Sequence, residues 1–291
     1  MTSADPFAAQ RALVTEAGGW FADRPYHALS WLPGRGERLV VTFDNLSALR
    51  EKTHRIPWGQ GFLAAQGWDV LGVMTKRNDW YRDPPLWAAL EGLRDDGFFA
   101  RFPAVSMYGA SMGAYAAITF AGLAPGCTVM AFAPQSTLND ALAPFESRYR
   151  YARKITDWTG PYADAVQGAG AAARIYLGFD PLVAPDAAHA ARLAGANTVL
   201  LRMPLLGHKL PPALLKMGLL KSLSVAALSG TLTEAEFYRL YRARRASPLW
   251  QADLIARART QGHDRLARRV AEKLMAEAPN WRVRHQLEAM G

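Results

Sequence analysis

Residues 105–118 read VSMYGASMGAYAAI, and the fold turns on how Ser111 is read between its two glycines. A run of strand-forming residues ends at Tyr108, and an alanine-rich helical run begins at Gly113. Ser111 therefore lies where a strand turns sharply into a helix. Such a turn strains the backbone at the serine and crowds its neighbours, which explains glycine at 109 and 113. A helix starting at the serine aims its free N–H groups and positive dipole end at any negative charge that develops there.

Working outward, β-branched and apolar runs recur with helical stretches between them. RLVVTF (38–43), WDVLGVM (68–74), PAVSMY (103–108), the run from Cys127 to 133, ARIYL (173–177) and TVLLRM (198–203) read as strands. Helices are expected over 58–66, 86–98, 113–123 and 186–193. This alternation predicts an α/β fold, a mostly parallel central sheet flanked by helices, with ligands at the carboxyl ends of the strands. Residues 135–172 break the pattern and read as a lid-like insertion within a domain spanning 1–230. From about Thr231 the β-rich runs stop. Four helices are expected near 233–245, 248–260, 263–277 and 280–289, an all-helical C-terminal extension (231–291) that resembles a tetratricopeptide-type hairpin. One and a half such units bury too little, so the tail is expected to dock on the main domain and to offer a surface for a protein partner.

Composition bounds the function. The 291 residues are 50% hydrophobic, enough for one large core with an appendage. No basic–apolar leader and no window of about 18 uncharged apolar residues is evident, so a cytoplasmic protein without a membrane span is expected. The single cysteine, Cys127, sits in an apolar run and supplies neither a disulfide framework nor a thiolate metal site. The net charge of +9 is spread along the chain, and no zinc-finger spacing, RNP-like motif or long basic block accompanies it. Nucleic acid is therefore not the expected partner, and neither a metal nor a cofactor is expected.

A serine hydroxyl needs a base. His27 and His54 sit in polar stretches before the motif, His189 lies among alanines on a helix, and His263 and His285 belong to the tail. His208 instead follows the TVLLRM strand in the short loop PLLGH, where Gly207 lets the ring turn back over the sheet. The base needs a carboxylate to fix its tautomer. Asp180, just after ARIYL in GFDPLVAPD, is favoured; Asp186, six residues on and preceded by Pro185, is the rival, with helix capping as its other role.

The order Ser, Asp, His and the motifs YGASMG, GFDPLVAP and LLGH resemble the α/β-hydrolase superfamily over residues 35–225. The resemblance implies an oxyanion hole from the backbone N–H of Met112 and one near Asp44, where TFDNLS departs from the usual His-Gly pattern. It implies a serine esterase or hydrolase working through an acyl-enzyme with Ser111, Asp180 and His208, on a small-molecule or saccharide ester. Transfer to a sugar or alcohol acceptor is the alternative, as is a silent hydrolase-like interaction protein. Tyr108, Asn78, Trp80, Tyr81 and, in the insertion, Arg150 are the expected substrate contacts, Arg150 within a group with Arg148, Arg153, Lys154, Tyr149, Tyr151 and Trp158 whose charge and aromatic faces suit an anionic or sugar substrate.

Overall fold

A computed structural model describes residues 5–290, so positions 1–4 and 291, the outer ends of the two expected regions, lie outside the described residues. In chain order the elements are α1 (Ala8–Glu16), β1 (Trp20–Asp23), β2 (His27–Leu32), β3 (Leu39–Phe43), α2 (Gln60–Ala64), β4 (Asp69–Thr75), α3 (Pro84–Asp95), β5 (Val105–Ala110) and α4 (Met112–Thr119). They continue with β6 (Thr128–Phe132), α5 (Arg150–Ile155), α6 (Ala165–Ala169), β7 (Arg174–Phe179), α7 (Ala184–Leu193), β8 (Thr198–Arg202), α8 (Leu210–Lys216) and α9 (Leu220–Leu228). Four helices close the chain: α10 (Glu234–Tyr241), α11 (Pro248–Thr260), α12 (Asp264–Glu277) and α13 (Trp281–Glu288).

The eight strands form one sheet in the order β1-β2-β4-β3-β5-β6-β7-β8. Strand β2 pairs antiparallel with both β1 and β4, and every other pairing is parallel. This is the mostly parallel α/β sheet that the strand–helix alternation predicts. Strands β1 and β2 lie in the N-terminal stretch, where the sequence pattern predicts no strand, because WFAD and HALSWL are short and His27 opens the second of them. His27 is not in a polar loop. It is buried between Asp83 (3.2 Å) and Asp79 (3.5 Å), and although burial alone would lower its pKa, the two carboxylates raise it. The cluster ties β2 to the loop after β4.

Strands β3 to β7 are almost wholly buried because helices cover both faces, and the two-residue period divides their side chains between two cores. Val41, Met107, Val129 and Ile175 point to the face covered by α3, α4, α6 and α7, while Val40, Tyr108, Met130 and Tyr176 point to that of α2, α8, α9 and α10. Full burial of one such aliphatic side chain contributes roughly 1.5–3 kcal/mol. In the tail, Phe237 and Tyr241 of α10 join the second core. Helices α11 to α13 enclose a smaller cluster of Ile255, Ala267, Ala271 and Val283.

Candidate active site

Strand β5 ends at Ala110 and α4 begins at Met112, so one residue makes the whole reversal. Ser111 accordingly has φ 53° and ψ −118°, outside the regions an L-residue ordinarily occupies. The flanking glycines are demanded by contact. A Cβ at 109 would stand 2.1 Å from the carbonyl oxygen of Gly113, and one at 113 would stand 2.4 Å from that of Phe43. Backbone bonds hold the turn: Ser111 N–H donates to Phe132 O (2.8 Å), and Ser111 O accepts from Tyr115 N–H (3.0 Å).

Opposite the turn, the loop after β8 carries His208. Two residues of this loop, Leu205 (φ 68°) and Gly207 (φ 66°), adopt left-handed conformations. The helical tail braces it, because Tyr241 Oη (3.2 Å) and Trp250 Nε1 (3.1 Å) both donate to Pro204 O. His208 Nε2 lies 3.0 Å from Ser111 Oγ. On the other side of the ring, Nδ1 lies 2.8 and 3.0 Å from the two carboxylate oxygens of Asp186. The Asp186 side chain is fully buried and that of His208 is 25% exposed, so the acid is sealed from water and the ring is reachable.

The carboxylate beside His208 is thus Asp186, in the first turn of α7, and not Asp180. Asp180 is buried and turned to backbone: Oδ1 accepts from Leu182 N–H (2.9 Å) and Oδ2 from Gly207 N–H (2.7 Å). It shapes the histidine loop from beneath while leaving the ring alone. Capping does not compete for Asp186, since the N-cap of α7 is Val183.

Two further expectations are corrected. The N–H of Asp44 donates to Val73 O (3.3 Å) and is not free for an oxyanion, and its carboxylate is buried against Arg55 (2.6 Å). Burial pushes that carboxyl up to about 6, with Arg55 opposing the shift. Met112 is the first residue of α4, where a backbone N–H has no intrahelical partner. Tyr108 faces the other side of the sheet, stacked on Trp58 with its hydroxyl 2.9 Å from Ser224, so it is core and lines no substrate cleft.

The loop after β4 reaches the site through Trp80. Its indole N–H donates to Gln135 Oε1 (3.2 Å), an oxygen 3.4 Å from Ser111 Oγ. Tyr81 is buried with its hydroxyl on Asp44 O (2.8 Å), away from the serine. Asn78 is half-buried, and its side-chain oxygen has no partner among the described residues. Arg150 begins α5 on the exposed surface.

Of the basic and aromatic residues of the insertion that the sequence offers as a substrate-binding group, Arg148 and Tyr149 are the ones that reach the site. Tyr149 Oη lies 3.0 Å from His208 Nε2, and its ring packs on Trp80 with centroids 4.6 Å apart. Burial raises the Tyr149 phenol, which keeps it a donor. Arg148 Nη1 lies 2.8 Å from Asp186 Oδ1. The signal is present in SRYRYARK, but only packing separates the two residues that reach the site from Arg150 and Tyr151, which face solvent. Arg153 of the same stretch is also taken, by Asp140 and by the carbonyl of Glu146. A cavity of about 470 Å³ lies elsewhere, at the amino-terminal end of the strands among Arg38, Phe99, Pro103 and Gly126.

No family model matches the sequence, and no curated protein matches it. Solved structures do match. A Pyrobaculum calidifontis esterase is 11% identical over 77% of this chain and 91% of its own, with a TM-score of 0.49. A Pyrococcus furiosus esterase is 14% identical over 74% and 94%, with a TM-score of 0.45. The capsule O-acetyltransferase of Neisseria meningitidis serogroup A is 14% identical over 66% and 88%, with a TM-score of 0.43. No group of three or more His, Cys, Asp or Glu side chains placed to hold a metal occurs among the described residues, and no helix there is long and apolar enough to cross a membrane.

Proposed function

We propose that this protein is a serine hydrolase that cleaves an ester through an acyl-enzyme, with Ser111 as nucleophile, His208 as base and Asp186 as the acid that orients it. One observation carries the reading: an unbroken chain from Ser111 Oγ through both ring nitrogens of His208 to a buried carboxylate, at a serine held in a strained strand-to-helix turn. The chemistry follows from the donor pattern. A carboxylate only accepts, so Nδ1 carries the proton, and Nε2 is left with a lone pair to take the serine proton. Ser111 then attacks the carbonyl carbon, and the N–H of Met112, at the positive end of α4, faces the oxygen that gains charge. Because the Asp44 amide is engaged, the turn that begins at Asn45 is left to supply a second donor.

His208 next protonates the leaving oxygen, and water or an alcohol resolves the acyl-enzyme by the reverse steps. A specific contact favours keeping transfer to an alcohol as a second reading. The Tyr149 hydroxyl already sits at Nε2, where an acceptor O–H would have to be held. A fluorophosphonate probe tests the proposal: wild-type protein should be labelled and Ser111→Ala should not. Wild type that stays unlabelled would leave the interaction-protein reading standing. Short- and long-chain acyl esters, with and without sugar acceptors, then separate hydrolysis from transfer.

A further inference from the structure

The turn between β6 and α5 holds Asp186 through a set of contacts that the proposed reaction does not itself require. His189 lies one helical turn beyond Asp186 on α7, so both side chains leave the same face of the helix. His189 Nδ1 accepts from the backbone N–H of Ser136 (3.0 Å), so its proton is on Nε2, which donates to Glu146 Oε2 (3.1 Å). Glu146 in turn takes four donor contacts from Arg148: the backbone N–H (2.8 Å), Nε to both carboxylate oxygens (3.0 and 3.1 Å) and Nη2 (2.5 Å). That leaves one edge of the guanidinium, Nη1, and it meets Asp186 Oδ1 at 2.8 Å.

Glu146 therefore fixes Arg148, and His189 fixes Glu146 to the helix that carries Asp186. Burial would raise the Glu146 carboxyl, but the hydrogen bonds from His189 and Arg148 outweigh it and bring it down to about 2. Burial lowers His189, which keeps it neutral. The Asp186 carboxylate thus has two partners, His208 Nδ1 and an arginine that Glu146 clamps beside it.

We infer that Arg148 is a positioning residue: clamped by Glu146, it holds the Asp186 carboxylate in line with His208. The inference rests on the triad reading above and adds a residue to it. The groups facing His208 are Asp186 of α7, Arg148 and Tyr149 of the segment before α5, and Ser111 of the turn before α4, with Glu146 behind Arg148. Arg148 is the one cation in direct reach of the ring among them, with Nη1 3.5 Å from Nδ1.

The test uses the full chain and compares wild type, Arg148→Met and Arg148→Lys. In fluorophosphonate labelling, Arg148→Met should lose roughly 100-fold in rate at neutral pH, the order of loss when a catalytic group is misplaced by about an ångström. Lysine should restore part of it, as a point charge without the fork. A merely structural arginine would lower the labelled fraction without slowing the folded protein that remains.

A second readout is independent of activity: the downfield ring N–H proton resonance of His208, assigned by its loss in His208→Ala. It should shift or broaden in Arg148→Met. Labelling at an unchanged rate, or an unchanged resonance, overturns the inference. Failure of wild type to label overturns the hydrolase reading instead, and the resonance still decides the role of Arg148.

Discussion

Asparagine at 186 should nearly abolish reaction, while asparagine at 180 should not, and the reason lies in which atoms each carboxylate faces. In Asp186→Asn the side-chain amide has one oxygen and one NH₂, and Arg148 decides which goes where. Its Nη1, 2.8 Å from Oδ1, is a charged donor and demands the oxygen. The NH₂ then takes the Oδ2 position, the nearer of the two to His208 Nδ1 (2.8 against 3.0 Å). A donor there turns Nδ1 into an acceptor and moves the ring proton to Nε2, which faces Ser111 and can no longer take its proton. In a serine protease, changing the triad aspartate to asparagine lowers the rate by about 10⁴-fold through this same tautomer switch, or ~5.4 kcal/mol at 1.36 kcal/mol per decade.

At 180 the same change keeps one of the two backbone acceptor contacts, to Leu182 or to Gly207, and loses the other. That costs about 1–3 kcal/mol of stability and, because the ring is untouched, less than roughly tenfold in rate. The assay is the pseudo-first-order rate of fluorophosphonate labelling at neutral pH, with folding checked by thermal melting. Asp180→Asn crippled and Asp186→Asn near wild type would refute the geometry on which the triad reading rests.

Three other outcomes follow from the same structure. Tyr149→Phe removes a hydroxyl that competes with Ser111 for the one lone pair on His208 Nε2, so labelling should quicken by about fivefold, the worth of a hydrogen bond of ~1 kcal/mol; slower labelling would mean that the phenol assists the reaction. Gly113→Ala places a Cβ 2.4 Å from Phe43 O and 2.7 Å from Asp44 O, both backbone, and should cost at least ~3 kcal/mol or abolish folding, read as a fall in Tm or in soluble yield. Glu146, held down to about 2 in the folded chain against an ordinary 4.5, contributes roughly 3 kcal/mol that is present above pH 4.5 and lost as pH falls through 2; urea melts should show that fall in wild type, and Glu146→Gln should lack it.

Particular residues mark how far the sequence can be read. The five strands from β3 to β7 stand out because a sheet covered on both faces needs near-continuous apolar runs, and LVVTF or VLGVM serves little else, while the half-buried edge strand β8 is legible from its run TVLL. Strands β1 and β2 do not, since β1 is half-exposed and β2 opens on His27, whose burial depends on two aspartates from a loop some fifty residues later. Ser111 is legible because its demands are local: two glycines, a strand before and a helix after. His208 is legible by elimination among six histidines and by its place after a strand.

The choice of acid is beyond sequence. Asp180 and Asp186 both follow β7, and six residues of loop and helix place one under the Gly207 amide and the other beside the imidazole. Chain order cannot distinguish these, because the decision is made by how the start of α7 packs against the loop after β8. Which of the insertion's basic and aromatic residues reach the ring is hidden for the same reason, in a stretch where nearly every residue carries charge or an aromatic ring. By itself the sequence determined strands β3 to β8, the strained serine and the loop that carries His208, all set by neighbours within a few residues. Tertiary structure alone decided which carboxylate, which arginine and which hydroxyl meet the ring, because hydrogen bonds between side chains 22 to 60 residues apart exist only once the segments are packed.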